Sequence, residues 1–210
     1  MKSRENVYYL FWIFIIGCVV GWCIEGVFSL IKWKEFINHS AVVIGPFNAA
    51  YGLGALVLTA LLFKFKDDKI WKIFLIGFIG GSILEYIMSL GMELVLGFTA
   101  WDYSKKPFNI NGRICVRYSL FWGALGIVWI KYIYPWLIKF IDKIDYDFGK
   151  KLAIWLSVFL LFDGILTGVA INRARQKEKG VEAKYKYEEI LDKTFNKEYL
   201  KNMYNDSWSD

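Results

Sequence analysis

The chain has 210 residues, is 56% hydrophobic and 19% aromatic, and has a mean hydropathy of +0.34. Soluble domains run at roughly 45–50% apolar even with glycine counted, so this composition excludes an ordinary water-soluble globule and requires a second apolar phase. The net charge of +6 comes from Lys and Arg flanking apolar runs, as expected beside lipid headgroups; no aromatic-basic module outside the runs points to nucleic acid.

Five runs reach the roughly 20 residues that a helix needs to cross a bilayer. They cover residues 8–31, 46–63, 73–96, about 114–130, and 151–171. None alternates polar with apolar residues, and backbone groups in lipid must bond internally, so each run predicts a helix. The predicted fold is all-α and polytopic, with about five transmembrane helices in residues 1–171 and a short soluble, charged helical tail in 172–210. The first run follows Lys2 and Arg4 but continues a dozen residues past Cys18 with no small-residue cleavage site. It therefore reads as a span and not as a signal peptide. Cys18, Cys23 and Cys115 read as small core hydrophobes. The stretch after the fourth run, "KYIYPWLIKFIDKIDYDF", reads as an interfacial piece disturbed by Pro135. In the tail, Leu191, Phe195, Tyr199 and Met203 recur every four residues, which predicts one helical stripe.

Five spans put the termini on opposite faces. Lys and Arg are nearly balanced between those faces, so the positive-inside rule discriminates little. We take the N-terminus as cytoplasmic, because the charges on the other face flank candidate site residues.

Acidic groups inside the spans carry the sharpest signal, since charge in lipid is costly and is usually functional. Glu25 lies in the first span, Glu85 and Glu93 in the third, and Asp163 in the fifth. Gly17, Gly21, Glu25 and Ser29 share a helix face, as do Ser82, Glu85, Ser89 and Glu93, and as do Asp163 and Thr167. Asn48 opens the second span. These stripes point to one acidic cavity toward the face away from the N-terminus, with Ser82 and Ser89 placed to donate to Glu85. Small-residue pairs at Gly17 and Gly21, Gly77 and Gly81, Gly123 and Gly126, and Gly164 and Gly168 predict close helix contacts.

The segment "WDYSKKPFNINGRI", residues 101–114, lies beside that cavity. Its Asn111-Gly112 pair predicts a tight turn that delivers Arg113 to the mouth of the fourth span. Arg113 is a counter-charge for Glu93 or Glu25, with Asp102 as a rival partner. Trp101 and Tyr103 suit headgroup depth. The segment reads as a lid.

Three stretches, "GPFNAAYGLGA" (45–55), "GSILEYIMSLGMELVLGFTAWDYS" (81–104) and "NGRICVRYSLFWGALG" (111–126), resemble the bacterial membrane family named putative ABC-transporter type IV, CmpB-like. The resemblance covers most of positions 8–170. The family's emphasised positions fall on Gly45, Pro46, Asn48, Tyr51, Gly52, Glu85, Glu93, Trp101, Asp102, Tyr103, Asn111, Gly112 and Arg113, which adds Tyr51 to the polar set. The family name implies a permease role. The chain has no Walker motif and hence no ATP site of that kind.

The leading expectation is a small permease or permease subunit of the cell membrane, with an acidic cavity for a polar or cationic substrate. The alternatives are an intramembrane or interfacial enzyme acting on a lipid or headgroup, and a non-catalytic membrane adaptor or sensor. Five spans are few for alternating access, so a homodimer or a partner subunit is expected alongside membrane lipids. No cofactor is predicted, although the acidic cluster has the oxygen ligands a divalent cation takes.

Overall fold

The computed structural model describes residues 3–97, 99 and 101–203. In chain order the elements are α1 (Ser3–Trp33), α2 (Ala49–Leu62, ending in a 3-10 turn Phe63–Phe65), α3 (Ile70–Leu96), a hairpin of β1 (Asn109–Ile110) and β2 (Ile114–Cys115), α4 (Val116–Val128), a π turn (Trp129–Ile133), α5 (Tyr134–Ile141), α6 (Tyr146–Glu178), α7 (Lys186–Thr194) and α8 (Lys197–Met203). Among the described residues four helical segments are long and apolar enough to cross a membrane: Val7–Trp33, Ile70–Val95, Val116–Ile141 and Tyr146–Glu178. The apolar helix Ala49–Phe65 is shorter. The protein is a multi-pass helical membrane protein.

Pro135 does not end the fourth span. The helix continues to Ile141 through the π turn, in which the Tyr134 N–H bonds the Trp129 carbonyl five residues back. The wider turn sits where proline, lacking an N–H and crowding the preceding turn, would break a regular helix.

Within the spans no more than 33% of the most apolar window is buried. Large apolar side chains make up much of the exposed surface: Ile79, Ile83 and Ile87 form an outward stripe on α3, while Ser82, Glu85 and Ser89 on the inward side are buried. This arrangement suits lipid outside and polar contacts inside. Cys18 and Cys115 are buried as expected, but Cys23 is exposed, because it lies on the outer face of α1 beside Ile24 and Val27.

Helix contacts follow the small residues. A Cβ on Gly77 of α3 would come within 2.9 Å of the Trp122 carbonyl oxygen and 3.4 Å of the Gly123 and Gly126 Cα atoms of α4, so the two backbones touch. Gly21 of α1 is covered by the Tyr51 ring of α2. Gly164 and Gly168 of α6, by contrast, have nothing within 4 Å among the described residues, so that pair makes no helix contact there.

The core is asymmetric, and this positions the candidate site. Trp12, Ile13, Leu58, Leu62, Ile73, Trp129, Ile130, Leu137 and Ile141 form the main apolar cluster. It fills the half of the bundle nearest the N-terminus, where the Tyr9 hydroxyl also donates to Asp142. Thr59, which accepts from the Trp129 indole N–H at 2.9 Å, is buried within this cluster, and the other half contains Ser29, Ser40, Glu85, Ser89, Asp163 and Thr167.

The tail folds back onto that polar half. Gly180 adopts a left-handed conformation (φ +78°), and the Val181 N–H returns to the Gln176 carbonyl, a glycine stop that reverses the chain. The expected single stripe is interrupted at Phe195. Asn196 then caps α8 by accepting from the Tyr199 N–H, so the tail forms two short helices. Leu191 and Leu200 pack on Val43, Ala170 and Ile171, and Arg173 donates twice to Asp192, at 2.9 and 2.8 Å.

Arg173 holds the Asp192 carboxyl below the usual carboxylate range. A depressed folded-state value means that the pair's stabilisation is full above the unfolded value, about pH 4, and is lost as pH falls through the folded value. Protection of the α7 amides, corrected for intrinsic exchange rates, should therefore hold from neutrality to about pH 4 and fall below it. Protection that persists unchanged in stronger acid would show that the tail is held by its leucines alone.

Candidate functional site

Asn111 (φ +51°) and Gly112 (φ +66°) both take positive φ, and the Arg113 N–H returns to the Ile110 carbonyl. The Asn-Gly pair supplies the two central, positive-φ residues of this turn, and with Ile110 opposite Ile114 Arg113 is the third residue of the hairpin loop. The segment before it is laced to the hairpin: the Tyr103 N–H donates to the Gly112 carbonyl at 2.7 Å, and Trp101 Nε1 donates to the Arg113 carbonyl at 3.0 Å. Asp102 accepts from the Ser104 N–H and hydroxyl at 2.8 and 2.9 Å, and those bonds hold its carboxyl below the usual range. Asp102 is therefore a turn-forming residue here, and its contacts are with Ser104 and not with Arg113.

The hairpin lies over α3 and α4. The Tyr103 hydroxyl reaches down to Glu85 Oε1 at 2.9 Å, while Trp122 Nε1 of α4 donates to Glu85 Oε2 at 3.1 Å. The Tyr103 ring stacks on Tyr118, with centroids 4.5 Å apart. Burial, together with the facing Glu85 carboxylate, pushes the Tyr103 hydroxyl up from its ordinary value, so it remains a proton donor at neutral pH. Glu85 is buried with one donor on each oxygen. Among the described residues no Lys or Arg pairs with it.

Ser82 and Ser89 take other partners. Ser82 bonds Ser119 of α4 at 2.6 Å and its own helix's Phe78 carbonyl. Ser89 accepts from Arg113 Nη1 at 3.1 Å.

Arg113 pairs with Glu93 through Nη2, which keeps its pKa above the ordinary value. Its guanidinium also lies 5.8 Å from the Tyr86 ring centroid, and Asn111 Nδ2 donates to the Tyr86 hydroxyl at 2.9 Å. The Glu93 side chain is 51% exposed and that of Arg113 15%, so this ion pair forms the rim of the cluster and not its buried centre.

Hydrogen bonds sort the remaining residues into separate settings. Glu25 accepts from the Tyr51 hydroxyl at 2.7 Å across α1 and α2. Asn48 caps α2 by accepting from the Ala50 N–H and donates to the His39 carbonyl. Asp163, 0% exposed, accepts from the Ile44 N–H at 3.1 Å, and Thr167 accepts from the Val43 N–H at 2.9 Å. The irregular segment around Val43 is thereby drawn down to the middle of α6, with its backbone donors satisfied as burial at membrane depth requires. Among the described residues no three of the His, Cys, Asp and Glu side chains gather as a metal site would need.

The cluster thus comprises Glu85, Tyr86, Ser89 and Glu93 from α3, Trp101, Tyr103, Asn111 and Arg113 from the hairpin segment, and Tyr118 and Trp122 from α4. Residues 12–168 match the family model described as Putative ABC-transporter type IV. The chain belongs to that family. Family membership and the spanning helices give it a transport-related function in the membrane. The matched region includes the whole cluster, whereas α7 and α8 lie beyond it. No curated protein and no solved structure matches the chain.

Sequence reasoning missed Tyr86, Tyr118 and Trp122. Trp122 carried a usable signal: an indole N–H inside an apolar run needs an acceptor, and Glu85 is the nearest span carboxylate of the adjoining helix.

Proposed function

We propose that the protein is a permease or permease subunit whose substrate, polar or cationic, reaches Glu85 beneath the 101–114 hairpin. The observation carrying this reading is the Glu85 carboxylate, buried in a spanning helix and held by one donor from a loop and one from a neighbouring helix. Lifting the loop removes the Tyr103 bond and leaves an acceptor that an ammonium group or hydroxyl can take over. Arg113, Glu93 and Asn111 form the entrance, and Trp101 and Tyr103 anchor the hairpin at the interface.

In this reading the short α2 is a fifth crossing, the N-terminus is cytoplasmic, and the cluster opens to the other side. An ATPase would be a separate subunit meeting the 64–69 turn and the 139–151 segment. Glu25, Tyr51, Asn48 and Asp163, bonded in their own settings, hold α1, α2 and the segment around Val43 in place beside that path.

The test is a panel of amines, amino acids, sugars and divalent cations scored by melting shift on detergent-purified protein, repeated with Glu85→Gln. A ligand that stabilises the parent and leaves Glu85→Gln unmoved supports the reading. Shifts of equal size in both proteins would remove Glu85 from the substrate path and favour the adaptor alternative.

A further inference from the structure

We propose that α7 lies in the membrane interface and, with the outer face of α6, forms a binding cleft for a lipid acyl chain. The cleft has a volume of about 290 Å³ and is lined by Phe162, Ile165, Leu166 and Val169 of α6 and by Tyr187, Ile190 and Leu191 of α7.

Two observations from different elements identify the occupant. The α6 wall belongs to a membrane-crossing segment, and Phe162, Ile165 and Val169 are exposed on its lipid-facing side. Water does not fill such a surface, so the cleft continues the surface already covered by hydrocarbon. The other wall is amphipathic. Tyr187, Ile190, Leu191 and Thr194 follow one face of α7, while Lys186, Glu189 and Lys193 follow the other. Ile190 and Tyr187 are more than half exposed, which in water would cost α7 its apolar face. A helix with this pattern lies in the plane of the headgroups with its apolar side in the chains.

The geometry holds α7 there. The Gly180 stop turns the chain after α6, and the Arg173–Asp192 pair ties α7 to the C-terminal end of that helix. The cleft lies between the two helices, its α6 wall preceding Arg173 in that helix, and Tyr187 at its edge is a residue type that favours the membrane interface.

The experiment uses the unaltered full chain in bilayers containing phosphatidylcholine with a diazirine at mid-chain. After irradiation and tryptic digestion, mass spectrometry reads lipid adducts. The peptide 187–193 should be labelled, with the lipid-facing α3 segment around Ile79, Ile83 and Ile87 as the internal standard. The variant Val169→Phe, at an exposed wall position, fills the cleft from within and should remove most labelling of 187–193 while leaving α3 labelling unchanged. An unlabelled 187–193 beside a labelled α3 would place α7 in water and overturn the proposal. Labelling that Val169→Phe leaves intact would place α7 on the membrane without a chain site, which also overturns it. Covalent dimers linked through 187–193 under a protein cross-linker, with lipid labelling absent, would assign the cleft to a second copy instead.

Discussion

Glu85→Leu should unfold at a clearly lower temperature than the parent in detergent, whereas Glu85→Gln should unfold close to it. Leucine leaves the Tyr103 hydroxyl and the Trp122 indole N–H without their acceptor, at about 1–3 kcal/mol for each unsatisfied buried group. Hydrogen bonds within membranes measure toward the low end of such values, so a total near about 2 kcal/mol is the expectation. Glutamine has a workable arrangement. An indole only donates, so the amide oxygen must face Trp122. A phenol both donates and accepts, so the amide NH₂ can donate to Tyr103 after its hydroxyl rotates. The two variants thus separate the structural role of this position from its proton and its charge. Equal melting of Glu85→Leu and parent would show that the two bonds do not hold the hairpin down, and the lid reading would then lose its anchor.

Gly77→Leu should be the more damaging substitution. The added Cβ would sit 2.9 Å from the Trp122 carbonyl oxygen and 3.4 Å from two α4 Cα atoms, and backbone cannot rotate aside as a side chain can. Overpacking of this kind costs about 1–3 kcal/mol and sometimes more; contact between backbones places it at the upper end. Separating α3 from α4 also draws Trp122 away from Glu85, so ligand-induced melting shifts should disappear together with stability. Gly91, on the same helix, has nothing within 4 Å among the described residues, which makes Gly91→Leu the matched control, expected to leave yield and melting near those of the parent. If both variants behave alike, helix propensity and not the crossing governs α3.

The hairpin illustrates how much local chemistry reveals. Asn111-Gly112 could be read as a turn because only a positive-φ pair closes it, and the placement of Arg113 beside the α3 acids followed from that. Which acid Arg113 meets was open among Glu93, Glu25 and Asp102. Asp102 is held by the backbone two residues on, and Glu25 is taken by Tyr51, so Glu93 is the partner. The Glu85 donors were misassigned to Ser82 and Ser89, because helix periodicity reports which residues share a face and not what an adjoining helix brings to it. Once Gly77, Gly123 and Gly126 bring α3 and α4 together, Ser119 is closer to Ser82, and Trp122 is closer to Glu85.

By itself the sequence determined the membrane class, the inward and outward faces of α3, the glycine contacts of α1 and α3, and the turn that carries Arg113. Each follows from hydropathy, helical period or backbone sterics, all of which act over a few residues. Tertiary structure alone decided that Pro135 lies within a continuous span, that Asp163 supports the backbone of a distant loop, that the tail breaks at Phe195 and packs on α6, and that Glu85 is held by Tyr103 and Trp122. Those outcomes depend on which groups, far apart in the chain, are left needing a hydrogen bond once the helices have packed.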